Sequence, residues 1–506
     1  MLYQVVRDHY ERFAAQAAAW RDGQGLPPFI DKEFRGFLRC GWLGGGFARF
    51  RCDGCGLDRL VPFSCKGRAV CPSCSGRRMA ERSAHLIDHV FPDVPVRQWV
   101  LTVPLRQRYL LAWNHGLTRA VVGVFMRGVL GWLRRRARVA QGIPDGRGGA
   151  VAIVQRFGAA LNVNVHTHAL VLDGVFAEDG RGRLVFHPAP PPGTEGLEIL
   201  VAALARRIHR LLVRRRVLVA DGESDASDPW VDDEPVLAGL TAASVQGRVA
   251  LGSRAGAGIR RCGALRDEAP LPAVRGPYHA ACRGFDLDAT VQVPAGARDH
   301  LERVCRYALR PPIAQDRIQL TPEGDVLLEL RHRWSDGTTH LRFHPLELLE
   351  RLASLTPRPR INLVLYYGVV AAHAAWRARL PRPRDAVATP APGVRADPGQ
   401  GAGPMMASLL DGARRPASVV DSTRPMRPRS NWLWAQLMQR TFGFDVLACP
   451  RCGGRFRLIA LIEHTEAVRR ILHHLGLPTE APPPPPARAP PRRPEARNAE
   501  RDFDTA

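Results

Sequence analysis

Leu161-Asn162-Val163-Asn164-Val165-His166-Thr167-His168-Ala169-Leu170-Val171-Leu172 is a β-branched, alternating run, the pattern of a strand. Side chains two apart in a strand point the same way, so Asn164, His166 and His168 share one face. Val163, Val165, Thr167, Ala169 and Val171 share the other, which is apolar. Two imidazoles held side by side on a rigid strand can chelate a divalent cation and leave positions for a phosphate oxygen. A histidine pair in a strand also fits a surface or core role, and the pair alone does not choose between them.

Upstream, Ala150-Gln155 reads as a second strand that turns at Phe157-Gly158 and can run antiparallel to the first, which brings Gln155 beside the histidines. Further strands are expected at Val96-Val103, Asp286-Val293, Asp325-Leu330 and Thr338-Phe343. Helices are expected at Tyr3-Trp20, Leu117-Ala140, Leu197-Val217, Arg298-Leu309 and Pro345-Leu355. Short strands with intervening helices predict an α+β fold with a largely antiparallel sheet. The chain divides into a helix and a cysteine-rich ribbon over residues 1–90, the α+β domain over 91–380, a Pro/Arg-rich linker over 381–429, a C-terminal Cys-x-x-Cys knuckle and helix over 430–478 and a disordered tail over 479–506. Residues 219–235, rich in Asp, Glu and Ser, read as an exposed insertion.

The chain has 506 residues and a formal net charge of +24, a balance that favours a polyanion, with nucleic acid as the leading partner. Its basic residues are almost all arginine, the lysines being Lys32 and Lys66. A GC-rich coding sequence accounts for arginine in place of lysine but not for the net charge. Arginine forks onto phosphates and stacks on bases, which suits a single-stranded or backbone-tracking binder. Met1-Leu2-Tyr3-Gln4 runs directly into an amphipathic helix, and the apolar window 361–376 is too short and interrupted to span a bilayer. These features predict a cytoplasmic, nucleoid-associated protein with no membrane partner.

In a reducing compartment the 11 cysteines pose a metal question rather than a disulfide one. Cys52-Asp53-Gly54-Cys55 and Cys71-Pro72-Ser73-Cys74 form two knuckles a short interval apart, and four thiolates suit tetrahedral Zn²⁺ in a structural site. Cys65 is a spare thiol that could replace one of the four, and Cys40 reads as a small core residue. Arg77 and Arg78 lie beside the second knuckle and would give the ribbon a basic, DNA-binding surface. A third knuckle, Cys449-Pro450-Arg451-Cys452, shows only two evident ligands. It could be completed by the histidines that follow, by another chain, or bind no metal.

Tyrosine is scarce. Tyr307 lies on the expected helix Arg298-Leu309 with Arg303 four residues before it, Arg310 three after and Arg306 adjacent. Guanidinium groups there could favour a phenolate and hold a phosphate, although a tyrosine anchoring a helix at the core rim has the same spacing. Tyr366 and Tyr367 sit in an apolar run and read as structural.

Taken together, Phe63-Ser64-Cys65-Lys66 through Arg77-Arg78-Met79, Gln98-Trp99-Val100-Leu101, Gln155-Arg156-Phe157-Gly158 leading into His166-Thr167-His168-Ala169-Leu170-Val171-Leu172-Asp173-Gly174, Cys305-Arg306-Tyr307-Ala308-Leu309-Arg310-Pro311-Pro312 and Asn431-Trp432-Leu433-Trp434-Ala435 closely resemble the rolling-circle insertion-sequence transposases of the IS91 group, within the HUH endonuclease superfamily. The resemblance implies that His166 and His168 bind a catalytic Mg²⁺ or Mn²⁺ and that Tyr307 is the nucleophile, nicking and rejoining single-stranded DNA at element ends and target through a 5′-phosphotyrosine. Gln155 is the favoured third metal ligand, with Glu302 and Asp288 as alternatives. Thr167 stands where the superfamily usually has a bulky apolar residue, Asp288 where a histidine is expected, and Arg303 where some members carry a second tyrosine. The chain therefore resembles a single-tyrosine member, which leaves a homo-oligomer open. Two other readings fit the same residues: a replication initiator or relaxase, for which no helicase-type phosphate loop is present, and a non-catalytic zinc-dependent DNA-binding protein.

Overall fold

The central element is a seven-stranded antiparallel sheet, ordered Val364–Gly368, Gly149–Phe157, Val163–Leu172, Val96–Thr102, Phe285–Asp288, His279–Cys282, with Gln292–Val293 also pairing to Val96–Thr102. It is seen in a computed structural model that describes residues 1–20, 25–218, 229–263, 276–381, 434–442 and 445–479. The linker expected over 381–429, the tail expected over 479–506, the first part of the acidic insertion and the residues Asn431, Trp432 and Leu433 lie almost wholly outside the described residues.

The histidine strand occupies the middle of the sheet and is covered on both faces. One face carries Val163, Val165, Ala169 and Val171, with Trp99, Leu101, Ala150, Ala152 and Val154 beside them, and packs into the larger apolar core. Helices His115–Gln141 and Thr194–Arg214 lie on this side, Trp99 meeting Trp132 edge-on at 5.7 Å between ring centroids. Among the described residues His115–Gln141 is long and apolar enough to cross a membrane by composition, but most of it is buried in this core. Thr167 is buried on the same side, where a β-branched residue fits the pleat.

The second face carries the histidines and continues as Leu170 and Leu172. It is closed by helix Arg298–Leu309, whose Leu301, Val304, Cys305 and Ala308 recur at the helical period and face the sheet. That spacing leaves Arg303 and Tyr307 on the outward side.

Across the sheet, Arg97 and Asp173 form an ion pair at 2.9 Å with both side chains at most 3% exposed. Gln292 also donates to Asp173, and Arg97 to the Ala289 carbonyl. Removing one partner of such a pair strands a charge in a low-dielectric interior, which costs about 3–5 kcal/mol.

Several expected elements end elsewhere. The single strand expected over Asp286-Val293 is two short ones, Phe285–Asp288 and Gln292–Val293, with a break between them in which the Asp288 carboxylate accepts from the Thr290 N–H and hydroxyl. The knuckle at Cys449, read as part of a separate C-terminal segment, leads into strand Phe456–Ile462, which pairs antiparallel with Phe47–Cys52 of the N-terminal ribbon hairpin. The ribbon sheet is therefore built from both ends of the chain.

Candidate functional site

The hairpin linking Gly149–Phe157 to Val163–Leu172 closes through Gly158 N–H to the Asn162 carbonyl at 2.9 Å, with Leu161 at φ 54°. Its register makes Gln155 the direct cross-strand partner of His166, and a bulge follows between Gln155 and Phe157. Bulges beside a site re-aim side chains, and here Arg156 is the unpaired residue. On the other edge of the strand, Thr102 is opposite His166 and Val100 opposite His168.

His166 Nε2 and His168 Nε2 lie 3.1 Å apart. Two ligand nitrogens about 2.1 Å from one cation and at right angles to each other stand about 3.0 Å apart, so the spacing fits a shared divalent ion. His166 Nδ1 donates to the Asn164 carbonyl at 2.8 Å, which leaves Nε2 with its lone pair. His168 Nδ1 lies 2.7 Å from the Gln98 amide nitrogen. With that nitrogen donating, His168 Nε2 carries the proton and donates to His166. A half-turn of the amide presents its oxygen to Nδ1–H and frees the second lone pair for a cation. Burial lowers the pKa of His166 to about 4 and of His168 to about 3, so both rings are neutral at neutral pH.

Two buried amide oxygens belong to residues on the same face. Gln155 Nε2 donates to the Ala308 carbonyl at 3.1 Å, while its buried Oε1 has no hydrogen-bond partner. Asn164 Oδ1 is likewise buried and unpartnered, on the face that carries the histidines. Amide oxygens are hard donors suited to Mg²⁺ or Mn²⁺, and an orphaned buried one is costly unless something binds it. The residues present thus fit a divalent cation, with Gln155 as the neighbour of His166.

The alternatives for that place are otherwise engaged. Glu302 accepts from Arg306 at 2.7 Å and from Arg440 at 2.8 Å, and Asp288 accepts from the Thr290 hydroxyl at 2.9 Å. Asp288 is also separated from His168 by the whole intervening strand, since both pair with Val100.

Helix Arg298–Leu309 brings Tyr307 to the histidines. Its ring stands edge-on to His168, with centroids 5.8 Å apart and planes at 87°. Tyr307 is 46% exposed, and the Arg310 guanidinium stacks on its face at 4.1 Å while donating to its backbone carbonyl. Tyr366 is on strand Val364–Gly368 and half-buried, and burial raises its phenol above the usual range, as it does for Tyr367.

A cleft of about 660 Å³ opens beside Gln155 and runs between the sheet and the ribbon helix Pro72–His85. Arg68, Arg78, Arg82, Arg156, Arg310 and Arg360 line it together with Phe157 and Tyr366, and no acidic residue does. None of these six guanidiniums forms an ion pair with a carboxylate among the described residues. Of the arginines expected to meet DNA, Arg78 and Arg310 are in this lining. Arg77 and Arg303 are exposed outside it, and Arg306 is spent on Glu302. Sequence reasoning missed Arg82, Arg156 and Arg360, which come from three separate segments. The bulged position of Arg156 directly after Gln155 is the only local signal.

The cysteines divide differently from their order in the chain. Cys71 and Cys74 join Cys40 and Cys65, whereas Cys52 and Cys55 join Cys449 and Cys452. The quartet expected from Cys52, Cys55, Cys71 and Cys74 is thus split between two clusters. Cys65 is a full member of its cluster, and Cys40 is a ligand candidate rather than a core filler. The reason is the ribbon hairpin, which carries Cys52 and Cys55 at its tip and returns the chain to Cys65 beside the end of helix Pro28–Leu38. In the first cluster the sulfurs of Cys40 and Cys74, Cys40 and Cys71, and Cys65 and Cys74 are 3.7, 3.6 and 3.5 Å apart. Thiolates around a tetrahedral zinc at about 2.3 Å have edges of about 3.8 Å, so this cluster has the spacing of a structural zinc site. Backbone N–H groups of Gly67 and Cys74 point at Cys65 and Cys71, and Lys66 at φ 55° makes the turn that allows it.

Residues 5–103 match the family described as "Transposase zinc-binding domain", and residues 149–377 match the one described as "Putative transposase". The chain is an IS91-like transposase. The two matches together span about two thirds of it, and between them they contain Cys40, Cys65, Cys71 and Cys74, the histidine strand and the tyrosine helix. No curated protein and no solved structure matches the chain. The transposase membership makes DNA the substrate, and the zinc-binding match agrees with the sulfur geometry in supporting structural zinc.

Proposed function

We propose that this transposase is an HUH-type enzyme that nicks and rejoins single-stranded DNA through Tyr307. The observation that carries the reading is the placement of the half-exposed Tyr307 ring against His168, on the sheet face that also carries both neutral imidazoles and Gln155 with its orphaned oxygen. His166, His168 and Gln155 would hold a Mg²⁺ or Mn²⁺ ion, which when bound polarises the scissile phosphate and offsets its charge. The Tyr307 oxygen attacks phosphorus as its proton passes to solvent, a tyrosyl O–P bond forms, the P–O3′ bond breaks and the 3′-oxygen leaves as a hydroxyl. Attack on the adduct by another 3′-hydroxyl reverses the step and joins strands without a nucleotide cofactor.

The cleft favours a single strand over a duplex. Unneutralised guanidiniums track a phosphate backbone, while the half-buried Tyr366 in the lining offers an aromatic face on which a base can stack. Arg310 serves both parts, lying over Tyr307 and lining the cleft. One tyrosine on the helix, with Arg303 four residues before it, makes this a single-nucleophile enzyme, whose two cleavages call for two chains or two rounds. Its working place is the bacterial cytoplasm, on the nucleoid.

The test is adduct formation. Wild-type protein with Mn²⁺ and a labelled single-stranded end oligonucleotide should give a denaturation-resistant complex, and Tyr307→Phe should give none while binding the oligonucleotide as before. Adduct persisting in Tyr307→Phe and vanishing in Tyr366→Phe would move the nucleophile to the neighbouring strand.

A further inference from the structure

The cysteines at positions 449 and 452 lie outside both family matches, and the sequence leaves their knuckle with two ligands. In the folded chain they meet Cys52 and Cys55, some 400 residues away, with Cys52 and Cys452 sulfurs 3.5 Å apart and Cys55 and Cys449 sulfurs 3.7 Å apart. These are non-bonded distances, far from the roughly 2.05 Å of a disulfide and close to the tetrahedral edge of a zinc tetrathiolate. The two knuckles mirror each other. In each, the glycine after the second cysteine, Gly56 at φ 70° and Gly453 at φ 71°, donates back to the carbonyl of the first, Cys52 or Cys449, at 3.0 and 2.9 Å, and Asp53 N–H bonds across to the Arg455 carbonyl at 3.1 Å. Strand Phe456–Ile462 then runs along Phe47–Cys52, and Val468 and Leu472 of helix Thr465–His474 close over Phe47.

The same C-terminal segment reaches the tyrosine helix. Helix Trp434–Phe442 rests Leu437 on Ala80 and Ala84 of the ribbon helix. Its Arg440 bridges Asp88 and Glu302, the latter at 2.8 Å. Glu302 lies on the helix that carries Tyr307, just over one turn before it, and also receives Arg306.

We infer that Cys52, Cys55, Cys449 and Cys452 hold a second structural zinc ion, which fastens the C-terminal segment to the N-terminal ribbon. Arg440 then acts as a positioning residue that braces the tyrosine helix. The metal site stands independently of the proposed chemistry, and only the effect on cleavage rests on it. A latch of this kind makes the ends of the chain one unit: releasing the zinc frees Arg440, and the helix bearing Tyr307 loses its outer support while its apolar face still packs on the sheet.

Elemental analysis of full-length protein should find about two zinc ions per chain. Cys452→Ser and Cys449→Ser should each contain about one, and Cys452→His, which keeps a ligand, should restore the second. A wild-type content of one that Cys452→Ser retains would overturn the site, and the wild-type figure decides even if the serine variants are insoluble. Arg440→Ala should keep both ions yet speed amide exchange across Arg298–Leu309 by about tenfold, as Cys452→Ser should also do. Adduct yield should fall several-fold in both, with oligonucleotide binding held. Unchanged exchange in that helix in both variants would refute the brace. Failure of wild-type protein to form any adduct would count against the tyrosine chemistry alone, because zinc content and exchange are read without it.

Discussion

His168 and Tyr307 meet edge to face at 5.8 Å although 139 residues separate them, and each is positioned by a different device. The strand register fixes His168 between Ile153 and Val100. The apolar stripe Leu301, Val304, Cys305 and Ala308 fixes the helix on that same face and leaves Tyr307 beside the ring. Rigid support from sheet and helix is what a displacement reaction needs, since the reacting groups must be held in line with little freedom.

His166→Ala and His168→Ala should each lower adduct formation by more than about a hundredfold, as expected when a metal ligand is lost. Binding of the oligonucleotide should change little, because affinity comes from guanidinium and phosphate contacts. Gln98→Leu should raise the Mn²⁺ concentration needed for half-maximal adduct formation by about tenfold or more, because it releases His168 from its orientation. Equal loss of DNA binding in the histidine variants would show a structural pair instead.

The cleft makes a prediction about salt. Arg82→Ala and Arg360→Ala should each weaken single-strand binding irrespective of sequence and reduce the slope of log affinity against log salt by about 0.7, the value for one phosphate contact on a single strand. Arg77→Ala, outside the lining, should have a smaller effect. Identical slopes for all three variants and the wild type would place the strand elsewhere.

The pH dependence follows from the buried imidazoles. Their folded values of about 4 and about 3 lie below the 6.5 of an ordinary histidine, so between these limits the unfolded chain binds more protons than the native one. Stability from these groups is therefore present above pH 6.5 and declines as the pH falls toward 4. Adduct formation with saturating Mn²⁺ should likewise persist well below pH 6.5. Half-loss of activity at pH 6.5, absent in a control for DNA binding, would contradict the burial.

Asp173→Ala should lower stability by about 3–5 kcal/mol, because Arg97 would remain charged and buried without its partner. The double replacement Arg97→Met with Asp173→Leu should recover much of that loss. Denaturant midpoints for the three proteins check it, and an unchanged midpoint in the single variant would mean that water reaches the pair.

Local pattern was enough for much of this protein. Alternation over residues 161–172 places the histidines on one face. The turn at Phe157-Gly158 sets Gln155 against His166, and the helical stripe of Arg298–Leu309 leaves Tyr307 and Arg303 outward. These features depend on side-chain periods within a few turns or on a short hairpin, so neighbouring residues determine them. The grouping of the cysteines was decided only by tertiary structure. Two adjacent knuckles suggested one site, but a hairpin carried the first pair away and a strand near the C-terminus brought the third knuckle to it. The cleft is of the same kind, gathering arginines from separate segments whose charge the sequence shows and whose convergence it does not. Pairing between strands some 400 residues apart leaves no periodic trace in either of them, because the register is fixed by how the intervening domain folds and returns the chain.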